Sequence, residues 1–297
     1  MKLSIIDIGT QSIKHYIFDC TNSGNTLIAY KRYSGANLGE SSVLSPETIE
    51  RNIGILQMCI ERNAAEGVGQ LRLVGTDILR KAQNANDFIV PVQKISGQTI
   101  EIICQEREAL YLYKAFLDFV PESMKFSAVN IGGGSTECVV GTKQSLISSV
   151  KLPFGAKFIR TTFGDHDHID WQKLDEYLDE AVQVNDGVDE LFITGVLDYM
   201  TAIRPLLEFE SDTCTYPSHP ISLPIQRWRD WLIALRTTPL DAQKNYYTKD
   251  PQFCDGFGIG QSVYYAFAKK LGAQRIIPSS RDLVDGILYD AFTHLRK

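Results

Sequence analysis

The sequence predicts an α/β protein of two related halves, each built on a mixed sheet, and three observations carry this. Strand-like and helix-like segments alternate after an antiparallel opening. One pattern occurs twice: Ile6-Asp7-Ile8-Gly9-Thr10-Gln11-Ser12 is echoed by Val129-Asn130-Ile131-Gly132-Gly133-Gly134-Ser135. Each copy sits at the first turn of a three-strand meander, so the surroundings are repeated along with the motif. At 297 residues the chain has room for two domains of roughly 150 residues each.

Taken in order, Leu3–Ile8, Ile13–Cys20 and Thr26–Tyr33 read as the first meander. Ser45 as N-cap and Pro46 at the first helical position open a helix over 46–65, with Ile49, Ile53, Leu56 and Ile60 as its apolar stripe. Leu71–Val74 is a strand, followed by a short helix carrying Arg80, a helix over 87–95 and a strand over Thr99–Ile103. Leu110, Tyr113, Leu117 and Val120 then recur at helical spacing over Gln105–Phe119. The second meander covers 126–152. Helices are expected at 170–184, Tyr199–Phe209, 225–236, 255–270 and 281–295, with strands at Glu190–Thr194 and Ile276-Ile277 and a proline-rich loop over 210–224. The domain reading is 1–123 and 124–280, with the C-terminal helix 281–297 a candidate to return to the first.

Composition excludes several classes. The chain is 44% hydrophobic and 22% charged, which is ordinary for a globular protein. No apolar run approaches the roughly 20 residues of a membrane span, and residues 1–20 alternate as a strand pair rather than a signal peptide. Six cysteines lack CxxC spacing and read as buried free thiols in a reducing cytoplasm. A net charge of −6 argues against nucleic acid as the main partner. A polyanion remains open to such a protein only through local N–H groups, a few Arg/Lys and a divalent cation.

The repeated turns are the candidate site. Gly132-Gly133-Gly134 between two strands lets backbone N–H groups approach an anion with no side chain in the way. Ser135 and Thr136 add hydroxyls, and Glu137 a carboxylate for a metal ion or a water. Gly9-Thr10-Gln11-Ser12 offers the same cradle in the first half. Two such loops facing each other across a cleft would grip one phosphate chain from both sides.

These paired loops resemble the sugar kinase, heat-shock chaperone and actin superfamily. Within it the chain is similar to the exopolyphosphatase and guanosine pentaphosphate phosphatase family. The further matches are Gly75-Thr76-Asp77-Ile78-Leu79-Arg80, Ile102-Ile103 leading to Glu106-Arg107-Glu108-Ala109, Leu152-Pro153-Phe154-Gly155 and, more faintly, Asp282-Leu283-Val284-Asp285-Gly286-Ile287-Leu288. The resemblance implies two actin-like (ribonuclease H-like) domains with mixed five-stranded sheets. It implies a phosphoanhydride hydrolase acting on inorganic polyphosphate or guanosine pentaphosphate, with Mg²⁺ as cofactor. By resemblance Glu108 is the general base for water, Arg80 clamps a phosphoryl oxygen, and Asp7, Glu137 and the position of Asn130 form the metal side. Asp7 could instead close its own turn through an Asx bond. A homodimer is the oligomer left open.

The chain departs from the family pattern at four places. Asn130 stands where the family has Asp, so a metal-side carboxylate is missing, which Asn130→Asp would restore. Cys104-Gln105 replaces a Ser-Gly pair, Ile193-Thr194-Gly195-Val196 replaces a Gly-rich loop, and Phe253 stands for an Arg. Together they keep open an alternative: a slow or inactive member that binds a phosphate ligand. Two other features are read as structural. Asp165-His166-Asp167-His168-Ile169-Asp170 is a loop ending in an N-cap, and Trp228 and Trp231 belong to core or interface.

Overall fold

The computed structural model describes residues 1–21, 24–34, 42–207 and 219–293. Contacts divide the chain into two compact units, Met1–Gln105 and Glu106–Lys297.

The first unit opens with the meander β1 (Lys2–Ile8), β2 (Ser12–Thr21) and β3 (Gly24–Ser34). Helix α1 (Pro46–Ala65) follows, with Ser45 accepting from the Thr48 amide at its N-cap. Then come β4 (Gln70–Gly75), α2 (Asp77–Lys81), α3 (Ala85–Ser96) and β5 (Ile100–Ile102). Gly97 ends α3 in the left-handed conformation, φ 66°, which glycine adopts without a Cβ penalty. The sheet runs β3-β2-β1-β4-β5. Its meander is antiparallel, while β1, β4 and β5 are parallel, as crossover helices require. Leu56 and Cys59 of α1 and Phe88 and Val92 of α3 pack on Ile6, Ile8, Ile13, Leu73 and Ile100, and this is the core of the unit.

The second unit repeats the plan. Helix α4 (Gln105–Lys114) opens it, followed by β6 (Phe126–Ile131), β7 (Thr136–Gly141) and β8 (Leu146–Leu152). Next are α5 (Ala156–Phe163), α6 (Trp171–Ala181), β9 (Glu190–Ile193) and α7 (Leu197–Leu207). The chain ends through β10 (Leu223–Pro224), α8 (Ile225–Thr237), α9 (Leu240–Tyr246), α10 (Cys254–Leu271), β11 (Arg275–Pro278) and α11 (Leu283–Thr293). The sheet order is β10-β11-β9-β6-β7-β8. It has six strands rather than five, because the two residues of β10 pair antiparallel with β11 at the edge.

Three expectations shift. The α4 pattern holds to Lys114 and then tightens into i→i+3 turns, Phe116 N–H to Tyr113 and Leu117 N–H to Lys114, so the apolar spacing continues past the helix. Helices α5 and α9 were not legible as periodic runs, being 8 and 7 residues long. Cys104 is exposed, since it lies beyond β5 rather than inside it; Cys20, Cys59, Cys138 and Cys254 are buried free thiols. Part of the proline-rich 210–224 segment, the end of the Tyr199–Phe209 helix and Cys214 lie outside the described residues. No helix among the described residues is long and apolar enough to cross a membrane. Trp228 and Trp231 are both buried in the core of the second unit.

Candidate active site

The two repeated turns close in the same way. Gly9 N–H donates to the Ser12 carbonyl at 3.0 Å, and Gly132 N–H to the Ser135 carbonyl at 2.9 Å. A Cβ on Gly9 would lie 3.2 Å from that Ser12 oxygen, and one on Gly132 3.3 Å from the Ser135 oxygen. The repetition read from the sequence is therefore a repetition of backbone geometry.

Helix α5 sets the direction of the second loop. Its Ala156 and Lys157 N–H groups donate to the carbonyls of Gly132 and Gly133, at 3.0 and 3.1 Å. These N–H groups belong to a helix's first turn, which has no intrahelical partner for them. In a trans peptide the C=O and the following N–H point in opposite directions. The Gly133 and Gly134 N–H groups are thus turned away from α5, as an anion cradle needs. Such closeness requires Gly155: a Cβ there would meet the Gly132 oxygen at 2.2 Å. Thr136 is fully buried and donates its hydroxyl to the Phe154 carbonyl at 2.9 Å, tying the loop to the same segment.

Cross-strand register builds the acidic side. In the first unit Val74, Asp7, Lys14 and Arg32 lie in one row across β4, β1, β2 and β3. Asp7 is buried, with the Lys14 ammonium 3.5 Å from its carboxylate. In the second unit Asn130, Glu137 and Lys151 form the equivalent row across β6, β7 and β8. Glu137 is 1% exposed and accepts from the Asn130 amide at 3.2 Å. Each unit thus supplies a single carboxylate, on the first strand of one meander and the second strand of the other. Among the described residues no group of three or more His, Cys, Asp or Glu could hold a metal ion. Each of these buried carboxylates is by itself a hard oxygen donor of the kind Mg²⁺ accepts, with water in its other positions.

Arg80 lies on α2, just beyond the end of β4, which is parallel to β1 and adjacent to it. Its guanidinium donates to the Ile103 carbonyl at 2.5 Å and to Asp77 at 3.3 Å, which fixes the plane of the fork. Glu108 is in the first turn of α4 and is 6% exposed. Glu106, its neighbour, is instead exposed and accepts from Lys151 at 2.8 Å, so the start of α4 is tied to the end of the Asn130–Glu137–Lys151 row. Arg107, between the two glutamates, turns the other way. It lies 3.6 Å from Asp290 of α11 and 4.9 Å from the Tyr111 ring centre.

The histidine-rich segment is structural. Asp170 caps α6 by accepting from the Lys173 amide, and His166 is buried, its Nε2 lying 2.9 Å from the Gln243 amide nitrogen and 3.1 Å from the Thr238 carbonyl. Burial lowers the His166 pKa. Lys14, Lys151, Gly155 and Thr194 were missed as members of these constellations. The first two were legible only as residues opposite the acids in the meanders. Gly155 needed the helix after it, and Thr194 the register of β9 against β6.

Residues 30–212 match the model of the Ppx/GppA phosphatase family. The fold matches the crystal structure of the Aquifex aeolicus member of the Ppx/GppA family at a TM-score of 0.81, with 22% identity over 100% of this chain and 99% of that one. It matches an exopolyphosphatase from Cytophaga hutchinsonii at 0.83, with 18% identity over 99% and 98%. An exopolyphosphatase-like protein matches at 0.81, with 22% identity over 100% and 99%. At these identities the structural likeness shows the fold alone, two mixed-sheet α/β halves of the actin-like kind.

Proposed function

The chain belongs to the Ppx/GppA phosphatase family, and on that premise we propose that it hydrolyses terminal phosphoanhydride bonds of inorganic polyphosphate or guanosine pentaphosphate. The observation that carries the reading is the pair of loops closed by the same N–H···O bond, at 3.0 and 2.9 Å. A terminal phosphoryl group presents anionic oxygens, and backbone N–H groups of these loops are suited to receive them. Hydrolysis of this kind rests on positioning and charge stabilisation more than on covalent help from the protein.

In this mechanism the loop N–H groups and the Arg80 fork hold the terminal phosphoryl oxygens. Glu108 accepts a proton from a water as its oxygen bonds to the terminal phosphorus. The anhydride P–O bond breaks, and the shortened chain leaves with the bonding electron pair. Asp7 and Glu137 are the candidate carboxylates for Mg²⁺, which would supply charge neutralisation at the phosphate oxygens. The experiment is release of inorganic phosphate from polyphosphate and from guanosine pentaphosphate, with Mg²⁺ and with a chelator. Mg²⁺-dependent release from either substrate supports the reading.

A second reading, a phosphate-ligand binding or sensor protein without turnover, is favoured by Asn130 in place of the family's aspartate. Saturable binding of polyphosphate without phosphate release would select it.

A further inference from the structure

Two of the departures from the family pattern touch each other. The Thr194 hydroxyl donates to Asn130 Oδ1 at 2.8 Å, and Asn130 Nδ2 donates to Glu137 Oε2 at 3.2 Å. With Glu137 as a carboxylate, which only accepts, the amide nitrogen faces it as the donor. The amide oxygen then faces Thr194, and the hydroxyl must donate.

Thr194 is itself held. It is 4% exposed, its N–H donates to the Val129 carbonyl at 3.2 Å, and its own carbonyl accepts from the Tyr264 hydroxyl at 3.3 Å. It follows Ile193, which pairs with Val129, so it falls beside Asn130 in the same row of the sheet. In the first unit the residue beside Asp7 on the inner strand is Val74, which has no hydroxyl to give. The threonine is therefore matched to the amide, and the row reads Thr194, Asn130, Glu137, Lys151.

An aspartate at position 130 would set a second carboxylate oxygen against Glu137, an arrangement that needs a cation or a proton between the two. The asparagine needs neither. We propose that Asn130 and Thr194 form a coupled clamp that orients Glu137 ahead of any cation, and that Asn130 is a positioning residue rather than a ligand. The inference rests on the proposed reading of Glu137 as the cation-side carboxylate of this unit. It replaces the expectation that position 130 is simply a lost ligand.

The test has a readout that needs neither metal nor turnover. The Asn130 side-chain amide protons are followed by NMR for exchange with solvent in metal-free wild type, Thr194→Val and Thr194→Ser. Thr194→Val keeps the shape and removes the donor. Slow exchange in wild type and Thr194→Ser, with exchange at least tenfold faster in Thr194→Val, supports the clamp. Equal exchange in all three overturns it.

The functional arm is a double-mutant cycle on phosphate release with Thr194→Val, Asn130→Ala and both together. Thr194→Val should lower kcat about tenfold, the size of one hydrogen bond, with KM within a factor of two and Thr194→Ser restoring the rate. In the Asn130→Ala background Thr194→Val should cost nothing further. Full kcat in a folded Thr194→Val protein, or simple additivity of the two losses, overturns the positioning role. Absence of phosphate release from wild type would instead count against the proposed function, and amide exchange would still decide the clamp.

Discussion

Gly286 of α11 lies against the backbone of Tyr111 in α4: a Cβ at position 286 would stand 1.8 Å from the Tyr111 carbonyl oxygen. Asp290, one turn further on, pairs with Arg107 and Lys114 on either side of that contact. Because the obstacle is backbone, no rotamer change relieves it. Gly286→Ala should therefore destabilise the protein by at least the 1–3 kcal/mol typical of overpacking, ~2 kcal/mol or more. Gly54 is the opposite case, a mid-helix glycine of α1 with nothing within 4 Å of a built Cβ. Gly54→Ala should stabilise by about 0.5–1 kcal/mol through helix propensity. Urea midpoints of both variants, moving in opposite directions, check the pair.

Gly155→Ala tests the cradle. Its Cβ would collide with the Gly132 oxygen at 2.2 Å, so the loop must move away from α5 and lose the bonds that aim its N–H groups. The expected result is weaker binding of a polyphosphate chain, by about tenfold or more, since one hydrogen bond is worth about 1 kcal/mol and two are disturbed. Calorimetric titration with a short polyphosphate reads this directly.

The pH dependence of stability follows from buried side chains. Burial lowers the pKa values of His15, His166 and His219, that of His219 from 6.5 to about 4. Below 6.5 the unfolded chain takes up protons that these folded histidines refuse. The stability they contribute is thus present above 6.5 and is lost as pH falls toward 4. Asp285 acts in the other direction. Burial, and then the Asp282 carboxylate, push it from 3.8 up to about 7, so its contribution is full below 3.8 and is lost as pH rises through 7. Between pH 6.5 and 4.5 the His219 and Asp285 contributions roughly offset each other, so the lowered His15 and His166 set the direction and the urea midpoint should fall. His219→Gln, which cannot charge, should make that fall shallower.

Much of this was legible because it is local or periodic. The Ser45 cap, the Ile49–Ile60 stripe and the duplicated turn around Gly9 and Gly132 each declare themselves within a few residues. The sites that stayed hidden depend on register between strands far apart in sequence. Thr194 meets Asn130 across 64 residues, and Lys151 meets Glu106 across 45. Asn130 alone looks like a missing carboxylate, and Thr194 alone looks like a missing glycine loop. Only the pairing of β9 with β6 shows them to be one hydrogen-bonded feature. Helix α5 escaped for a different reason: at 8 residues it is too short for an apolar stripe to stand out.

In the proposed reaction Glu108, a buried carboxylate at the start of α4, activates water on a phosphoanhydride. The most direct measurement is phosphate release by wild type and Glu108→Gln, on polyphosphate and guanosine pentaphosphate with excess Mg²⁺, alongside ligand affinity. The glutamine keeps the shape and hydrogen bonding of Glu108, which is 6% exposed, but cannot take a proton. The expected rate for Glu108→Gln is about 10²–10⁴-fold lower with affinity nearly unchanged. Release by Glu108→Gln at the wild-type rate would contradict it.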